Sequence, residues 1–390
     1  MRVSQFTHDG CRAACRVDSS LGDRTLFVES GEGELPNPGV ADWALCALLL
    51  PPMALHEDLS LAFPVSRRLA ENLEVIQDIL LAWVPHTCRS GLEFPVIDDP
   101  RPAPGTSLFF SGGLDAVYSL VKNRSKIDGL VLVHGFDIPA AESEAFSKCR
   151  ESLKADAAGF GLDLRSIRTN SREISDDAVH WIWQHGAALA SVAHVLGPST
   201  VYIASTHAYR DLHPLGSHPL LDPLWSSASV RLVHDGAEAN RVGKARMIAR
   251  QSPGSLRRLR VCLAWEHGGY NCGQCEKCLQ TMLCLQAAGA LDRCETLPQR
   301  IDPESVRKVG VNPFTKWHWK YLPGEIGDPV LDEAVREVLR KARPGQDSPP
   351  AAPPGEVPER PKGLYRELKD KMHWRPAKPK SPPSGDGPAG

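Results

Sequence analysis

Apolar and polar positions follow different patterns on either side of residue 105. Residues 1–100 mix short strand-like runs, such as TLFVES and SLAFPVS, with helical patterns at DWALCALL and SRRLAENLEVIQDILLAW. In the last of these, the leucines and isoleucines fall on one helical face and the charges on the other, which is typical of a surface helix packed on a sheet. We therefore expect a small N-terminal α+β domain over residues 1–100, which the segment IDDPRPAPG would join to the rest as a linker.

From Ser107 onward, strand patterns alternate with helical patterns. The predicted strands are SLFF, GLVLVHGF, DLRSIRT and TVYIAST, with a helix from Leu114 and two further helical stretches at HWIW and ALASVAHVL. This alternation favours an α/β fold with a doubly wound parallel sheet, in which helices cover both faces. Ligands in such sheets bind beyond the carboxyl ends of the strands, so the loops after Phe110, Val133 and Ala204 are candidate binding loops.

Composition narrows the class of protein. A chain of 390 residues with 42% hydrophobic content can fill the core of one large domain or two ordinary ones. Its formal charge of -2 provides no general field that would attract nucleic acid. The apolar stretch WALCALLLPPMAL is short and broken by two prolines, so we expect a soluble, cytoplasmic protein without a membrane partner. Eleven cysteines are too few for a disulfide scaffold, and we expect reduced thiols, some of them binding metal.

The C-terminal part changes in composition after Pro344. The segments RPGQDSPPAAPPGEVPERPKG and PAKPKSPPSGDGPAG are too rich in proline and glycine to pack a core. We expect a helical extension over residues 301–343 and a disordered tail over residues 344–390. Within the tail, LYRELKDKMHW has helical spacing and is interpreted either as a transient solvated helix or as a docking segment. A protein partner could bind this tail or the N-terminal domain.

A glycine turn, FFSGGLDAVYSL, follows the first strand of the alternating region. Gly112 and Gly113 let the backbone approach a ligand closely, and the N–H groups of this turn can point at a phosphate. The helix that begins at Leu114 adds its positive end, and Ser111 supplies a hydroxyl. Asp115 could bind a magnesium ion or fix the loop from inside. A tight strand-to-helix turn that binds nothing is the alternative interpretation.

Four cysteines have the spacing of a metal site. Cys262, Cys272, Cys275 and Cys278 form the pattern C-x9-C-x-x-C-x-x-C, whose thiolates can close tetrahedrally around zinc. A redox pair or an iron–sulfur cluster is the alternative. A four-thiolate site without an open position is normally structural, so we expect the metal to hold the loop and perform no chemistry. Cys284, among leucines on the following helix, is assigned to the core.

Further candidates surround the proposed pocket. The loop STHAYRDLHPLGSHPLLDPLWSS follows a predicted strand and is expected to contact substrate, while its three histidines lack metal spacing and are interpreted as ordinary polar loop residues. Arg241 and Lys244 lie three residues apart on one predicted helix face, where they could meet phosphates or form a solvated basic face. Lys244 is a catalytic candidate. Trp181 and Trp183 are assigned to the core.

The glycine turn resembles the SGGxDS loop of the PP-loop ATP pyrophosphatases, the adenine nucleotide alpha hydrolase-like proteins, which cleave ATP between its α and β phosphates. Ala116 stands where that pattern has serine or threonine, so one hydroxyl to the pyrophosphate is lost. Together with the four cysteines, the region of roughly residues 105–300 resembles the zinc-containing 7-cyano-7-deazaguanine synthases. In these enzymes ATP activates a carboxylate as an adenylate, which ammonia converts to an amide and a second activation to a nitrile.

The resemblance implies ATP, Mg²⁺ and Zn²⁺ as cofactors and a small-molecule carboxylate with ammonia or an amine as substrates. It implies ATP-binding contacts from Ser111, Gly112, Gly113, Leu114 and Asp115, backbone contacts to the nucleotide base from Val133 and His134, and catalytic roles for Ser111, Asp115 and Lys244. Two alternatives stay open. Other PP-loop proteins thiolate tRNA, although the near-neutral charge argues against nucleic acid as a partner. The chain could also be a non-catalytic scaffold that binds ATP and zinc, as Ala116 suggests.

Overall fold

The computed structural model describes residues 1–98, 103–262, 270–311 and 315–342. The predicted disordered tail therefore lies outside the described residues. The strands are β1 (Arg2–His8), β2 (Arg12–Ser19), β3 (Gly22–Ser30), β4 (Leu59–Leu61), β5 (Val65–Ser66), β6 (Leu92–Glu93), β7 (Val96–Ile97), β8 (Ala103–Phe109), β9 (Gly129–His134), β10 (Asp163–Thr169), β11 (Pro198–Ala204) and β12 (Arg231–Asp235).

The α-helices among the described residues are α1 (Asp42–Leu48), α2 (Leu50–Leu55), α3 (Arg67–Trp83), α4 (Leu114–Lys122), α5 (Ser143–Gly159), α6 (Ser171–Ser175), α7 (Trp181–Leu196), α8 (Arg241–Gln251), α9 (Glu276–Ala287), α10 (Pro303–Lys308), α11 (Lys316–Trp319) and α12 (Pro329–Lys341). The last three lie in the segment for which a helical extension is expected. None of the helices in the described ranges combines the length and the apolar character needed to cross a bilayer.

A mostly parallel sheet of ten strands organises the structure, in the order β12-β11-β8-β9-β10-β3-β2-β1-β4-β6. The strands from β12 to β10 are parallel neighbours. The chain starts this group at β8, adds β9 and β10 on one side, and then returns to add β11 and β12 on the other. The order therefore reverses between β8 and β11, which is where open α/β sheets leave a crevice for ligands.

Hydrophobic cores cover both faces of this sheet. Alternation along β8 and β9 sends Leu108 and Leu130 to one core and Phe109 and Val131 to the other. The first core also contains buried side chains of α4, α5, α8 and α9, and the second those of α1, α3 and α7. The expected α/β class with a parallel sheet covered on both sides is thus confirmed at the level of a mixed, mostly parallel α/β structure.

The N-terminal segment, for which a separate domain is expected, contributes strands to the ten-stranded sheet. Strands β1, β2 and β3 form an antiparallel meander, and β3 pairs antiparallel with β10, with Val28 opposite Thr169 and Ser30 opposite Ile167. Five strands of this segment, β1 to β4 and β6, therefore extend the sheet of the following region, while β5 and β7 form a separate two-stranded sheet. The physical reason is that β10 would otherwise be an edge strand with unpaired backbone groups, which β3 covers.

Two local expectations are also corrected. The two helical stretches at HWIW and ALASVAHVL are one continuous helix, α7, because Gly186 continues the helix instead of ending it. The strand β12, with the sequence RLVHD, was not predicted. In contrast, α4 begins at Leu114, as the glycine turn indicates, and the buried face of α3 contains the expected Leu69 and Ile76.

Candidate functional site

The glycine turn lies at the carboxyl end of β8, beside the point where the strand order reverses. Gly112 has φ of +75°, a left-handed conformation that favours glycine, and a Cβ at this position would collide with the Leu153 side chain. Gly113 precedes α4 with extended backbone angles. The turn therefore needs glycine at Gly112 for both its conformation and its packing.

The backbone N–H groups of this turn are available to a ligand. Within the described chain, the N–H groups of Ser111, Gly112 and Gly113 form no hydrogen bond. The positive end of α4 follows them directly, and Ser111 and Gly113 line an adjacent cavity of about 330 Å³. Successive N–H groups without partners at a helix N-terminus favour the binding of an anion. A phosphate group has several oxygens that can accept hydrogen bonds from them.

Asp115, in the first turn of α4, is held by two cations. Its carboxylate accepts hydrogen bonds from Lys244 Nζ at 2.8 Å and from Arg241 Nη2 at 2.9 Å. Burial opposes ionisation, but the charges of Arg241 and Lys244 outweigh it and lower the pKa of Asp115 to about 2. Asp115 therefore connects α4 to α8 through these ion pairs, and its other proposed role, magnesium binding, stays a prediction.

The second part of this network connects it to the neighbouring loop. Lys244 is 1% exposed and also donates to the backbone oxygen of Ser205 at 2.5 Å, while Arg241 donates to Gln280 of α9. The two cations share a helix face, as the spacing predicts, but they are neither solvated nor unpaired. Through Asp115 and Ser205 they connect the first turn of α4 to the loop after β11.

The cavity collects side chains from several elements. Asp115, Arg241, Arg260 and Lys277 line it, and Thr206 contributes from the loop after β11. The set of cavity-lining residues includes most of the predicted binding residues and adds others: Ser111, Gly113, Leu114, Asp115, Ala116, Val133, Phe136, Asp137, Trp181, Thr206, Arg241, Arg260, Lys277, Thr281 and Thr315. Its wall is therefore apolar towards β9 and α7 and cationic towards α8 and the cysteine loop.

The four cysteines converge on one point. Their sulfur atoms all lie within 4.8 Å of one another, with Cys262 Sγ 3.8 Å from Cys275 Sγ and Cys272 Sγ 3.9 Å from Cys278 Sγ. A tetrahedral site with zinc–sulfur bonds of about 2.3 Å has sulfur–sulfur edges of about 3.8 Å, so these thiols fit that geometry. The group could therefore hold a metal ion such as zinc.

Local backbone structure explains how the cysteines meet. Gly273 has φ of +72°, and the N–H of Cys275 donates to Cys272 Sγ at 3.3 Å. Cys275 then precedes α9, which places Cys278 on its first turn, in the buried core. A hydrogen bond with the Cys262 thiol raises the pKa of Cys275.

Asn271 joins the two parts of the cysteine group. Its side-chain oxygen accepts from the backbone N–H groups of Val261 and Cys262 at 2.9 and 3.1 Å, and its amide nitrogen donates to the Leu259 oxygen at 2.7 Å. Arg260 directly precedes the two residues that Asn271 binds, and its backbone N–H donates to the Gly112 oxygen at 2.9 Å. The cysteine group is thus connected by backbone hydrogen bonding to the glycine turn.

The other predicted positions have mixed outcomes. Val133 lines the cavity. The ring of His134 is buried instead, where it stacks on Phe146 with ring centroids 4.2 Å apart and contacts the Pro139 oxygen at 2.8 Å. Burial lowers the pKa of His134. Trp181 lines the cavity instead of belonging wholly to the core, because α7 begins at the ligand edge of the sheet. The roles assigned to the individual site residues remain predictions.

The three histidines after β11 differ in exposure: two are buried, and His213 is partly exposed. His207 and His218 are buried, and burial lowers their pKa values to about 2 and about 4, so both are neutral. His207 lies against His213, with ring centroids 4.4 Å apart. Among the described residues, the four cysteines are the group with metal-binding geometry, and these histidines are not part of one.

Sequence reasoning missed Arg260, Lys277 and Asn271. Arg260 stands two residues before the first cysteine, Asn271 directly precedes the C-x-x-C-x-x-C run, and Lys277 lies within it. Their proximity to the cysteine pattern is the signal that could have identified them. When a cysteine group lies beside a ligand-binding loop, the residues next to the cysteines in sequence also lie near the pocket.

Together, these features define an α/β protein with a free backbone N–H turn beside a four-cysteine group. Comparison with models of known protein families, with curated protein sequences and with solved structures gave no match.

Proposed function

We propose that the protein is an ATP-dependent enzyme that activates a carboxylate, forming AMP and pyrophosphate, and passes the activated group to ammonia or an amine. The observation that carries this proposal is the glycine turn: the N–H groups of Ser111, Gly112 and Gly113 form no hydrogen bond within the described residues. Ser111 and Gly113 line a cavity with cationic side chains at the reversal point of a parallel sheet. A phosphate chain fits this row by charge and by hydrogen bonding. The likeness of SGGLD to the PP-loop pattern supports a nucleotide as its source.

The residues of the chain act by holding and orienting charged groups. The glycine turn binds the phosphates, the apolar wall near Val133 and Phe136 accommodates the base, and the cationic side of the cavity stabilises negative charge. Adenylation needs an in-line arrangement of carboxylate and α-phosphate more than it needs acid–base chemistry. Asp115, already bound by Lys244 and Arg241, keeps the turn in position. Magnesium, when bound with ATP, would neutralise phosphate charge.

Zinc is the metal that we propose for Cys262, Cys272, Cys275 and Cys278. Four thiolates leave no open position for substrate, so this ion would stabilise the loop rather than take part in the reaction. Its effect on the site passes through Asn271 and the backbone contact to Gly112.

The test is a pyrophosphate-release assay with purified protein of measured zinc content, magnesium and ATP. A panel of carboxylic acids, including deazapurine carboxylates, is offered with ammonia or with primary amines, and AMP is measured in parallel. We expect acid-dependent release of AMP and pyrophosphate in equal amounts. Ser111→Ala should lower the rate at least about tenfold, since it removes a donor at the phosphates, whereas Ser4→Ala on β1 should leave it unchanged. Release of phosphate without AMP would contradict the proposal.

A second candidate is a binding module that holds ATP and zinc without turnover. Ala116 favours it, because this residue lines the cavity at the place where the related pattern has a hydroxyl. Under this alternative the wild-type protein binds ATP but releases no pyrophosphate with any acid. Ala116→Ser would then be expected to introduce measurable turnover. A wild-type enzyme that is already active would exclude this candidate.

A further inference from the structure

Arg260 is a buried cation with no counter-charge among the residues that the structure describes. Arg260 is 8% exposed. Its guanidinium forms no hydrogen bond or ion pair with any residue in the described ranges. Buried charges in folded proteins are normally paired, because an unpaired one loses its hydration without compensation. Arg260 lines the cavity next to the glycine turn, so the cavity is where a compensating anion can reach it.

The position of Arg260 relative to the turn is fixed on both sides. Its own N–H donates to the Gly112 oxygen at 2.9 Å, and its Cβ lies 3.4 Å from the position that a Cβ on Gly112 would occupy. The two residues after it are bound by the Asn271 side chain. The side chain therefore starts at the edge of the turn and lines the same cavity as Ser111 and Gly113.

The other cations in the cavity wall or next to it are placed differently. Arg241 and Lys244 both bind the Asp115 carboxylate, so much of their charge is already compensated. Lys277, on the first turn of α9, lines the cavity but is partly exposed to solvent. Arg260 combines burial, contact with the turn and a free guanidinium, whose planar donors can bind two phosphate oxygens at once.

We propose that Arg260 binds the β and γ phosphates of ATP and stabilises the pyrophosphate as it leaves, supplying the donor that Ala116 does not provide. This inference rests on the proposed function. In the reaction, a carboxylate oxygen of the substrate forms a bond to the α-phosphorus, and the bond between that phosphorus and the bridging oxygen breaks. The electron pair leaves with the pyrophosphate, and no proton or oxidant is required. Arg260 stabilises the charge that accumulates on the departing group.

The experiment compares Arg260→Gln with Arg258→Gln as the matched control. Arg258 lies on the same segment but is paired with Asp156 at 3.4 Å and does not line the cavity. Isothermal titration calorimetry measures the affinity of each protein for magnesium pyrophosphate, magnesium ATP and AMP, with zinc content and melting temperature determined on the same samples. We expect Arg260→Gln to weaken pyrophosphate and ATP about 10- to 100-fold and AMP less than about threefold. Arg258→Gln should match the wild type.

Each outcome has a defined meaning. Wild-type protein with full zinc that binds neither ATP nor pyrophosphate refutes the proposed function itself. Wild-type protein that binds both, together with an Arg260→Gln variant of unchanged affinity, refutes only the role of Arg260. If the Arg260→Gln variant does not fold, Arg260→Lys, which keeps the positive charge, replaces it in the same titrations. Because lysine lacks the planar pair of donors, it should bind pyrophosphate about 3- to 10-fold more weakly, and wild-type affinity in it would overturn the inference.

Discussion

Replacement of Asp115 by asparagine removes the carboxylate that holds Arg241 and Lys244 together. The wild-type pKa of Asp115 lies at about 2 instead of 3.8 because the charges of Arg241 and Lys244 outweigh the cost of burial. At about 1.36 kcal/mol per pH unit, this difference corresponds to about 2 kcal/mol of stabilisation of the folded state at neutral pH. Asparagine also leaves two buried cations close together without a counter-charge. We therefore expect Asp115→Asn to lower the free energy of unfolding by at least about 2 kcal/mol at pH 7.

The pH dependence follows from the sign of the shift. A lowered folded-state pKa gives stability that is present above the unfolded value of 3.8 and is lost as the pH falls through about 2. The difference between wild type and Asp115→Asn should therefore stay constant from pH 7 to pH 5. It should fall to about half near pH 3, because the carboxylate of the unfolded chain is then largely protonated while that of the folded protein is still ionised.

Urea unfolding followed by tryptophan fluorescence, at constant ionic strength and at pH 7, 5, 4 and 3, measures this difference. Asp18→Asn is the control, since Asp18 pairs with Arg16 at the exposed surface and should change the free energy of unfolding by less than about 0.5 kcal/mol. A difference for Asp115→Asn that is below 1 kcal/mol at pH 7, or that does not narrow by pH 3, would refute the assignment of Asp115 as a buried ion-pair centre.

Two further predictions concern the turn and the cysteine group. Gly112→Ala should lower the free energy of unfolding by about 2–4 kcal/mol, because it combines a left-handed backbone with a collision at Leu153. Gly113→Ala, whose Cβ finds its nearest atom at 3.4 Å, should cost less than about 1 kcal/mol, and equal melting temperatures for the two variants would contradict this reasoning. Asn271→Ala should weaken zinc binding about 10- to 100-fold in a chelator competition, because it releases the Cys262 backbone. Unchanged affinity would exclude a positioning role for Asn271.

The central strands and helices could be predicted because their signals are local. Two glycines followed by an amphipathic run mark the start of α4, and leucines at helical spacing mark the buried face of α3. The continuity of α7 could not be predicted, because Gly186 normally signals a break. In the fold, Gly186 allows α7 to lie directly against the backbone of Gly216, where a Cβ would collide. Such a glycine is explained by packing between segments that are distant in sequence.

The pairing of β3 with β10 is another non-local feature. The sequence pattern of β1, β2 and β3 predicts strands, but the edge that they join depends on β10, more than a hundred residues away. A boundary based on composition near residue 100 therefore suggested a separate domain. The unpaired edge of β10 gives the N-terminal strands a place in the same sheet.

The candidate site shows the same division between local and distant information. The glycine turn and the four cysteines are short patterns with defined chemistry, and both lie at the cavity. The spacing of Arg241 and Lys244 predicts a shared helix face, but not that Asp115, on α4, occupies it. The partner of a charged side chain is set by tertiary packing, so the sequence left the roles of Asp115 open.

The segment that bears Arg260 connects the glycine turn to the cysteine group. The segment from Leu259 to Cys262 is bound to Asn271 on one side and to the Gly112 oxygen on the other. A metal ion held by four thiolates cannot contact a phosphate, since its coordination is complete and its ligands carry negative charge. It can, however, fix the segment that bears a cation beside the turn. Under the proposed function, a metal ion at the four cysteines would act on the anion site by holding this segment, because Arg260 and the glycine turn line one cavity.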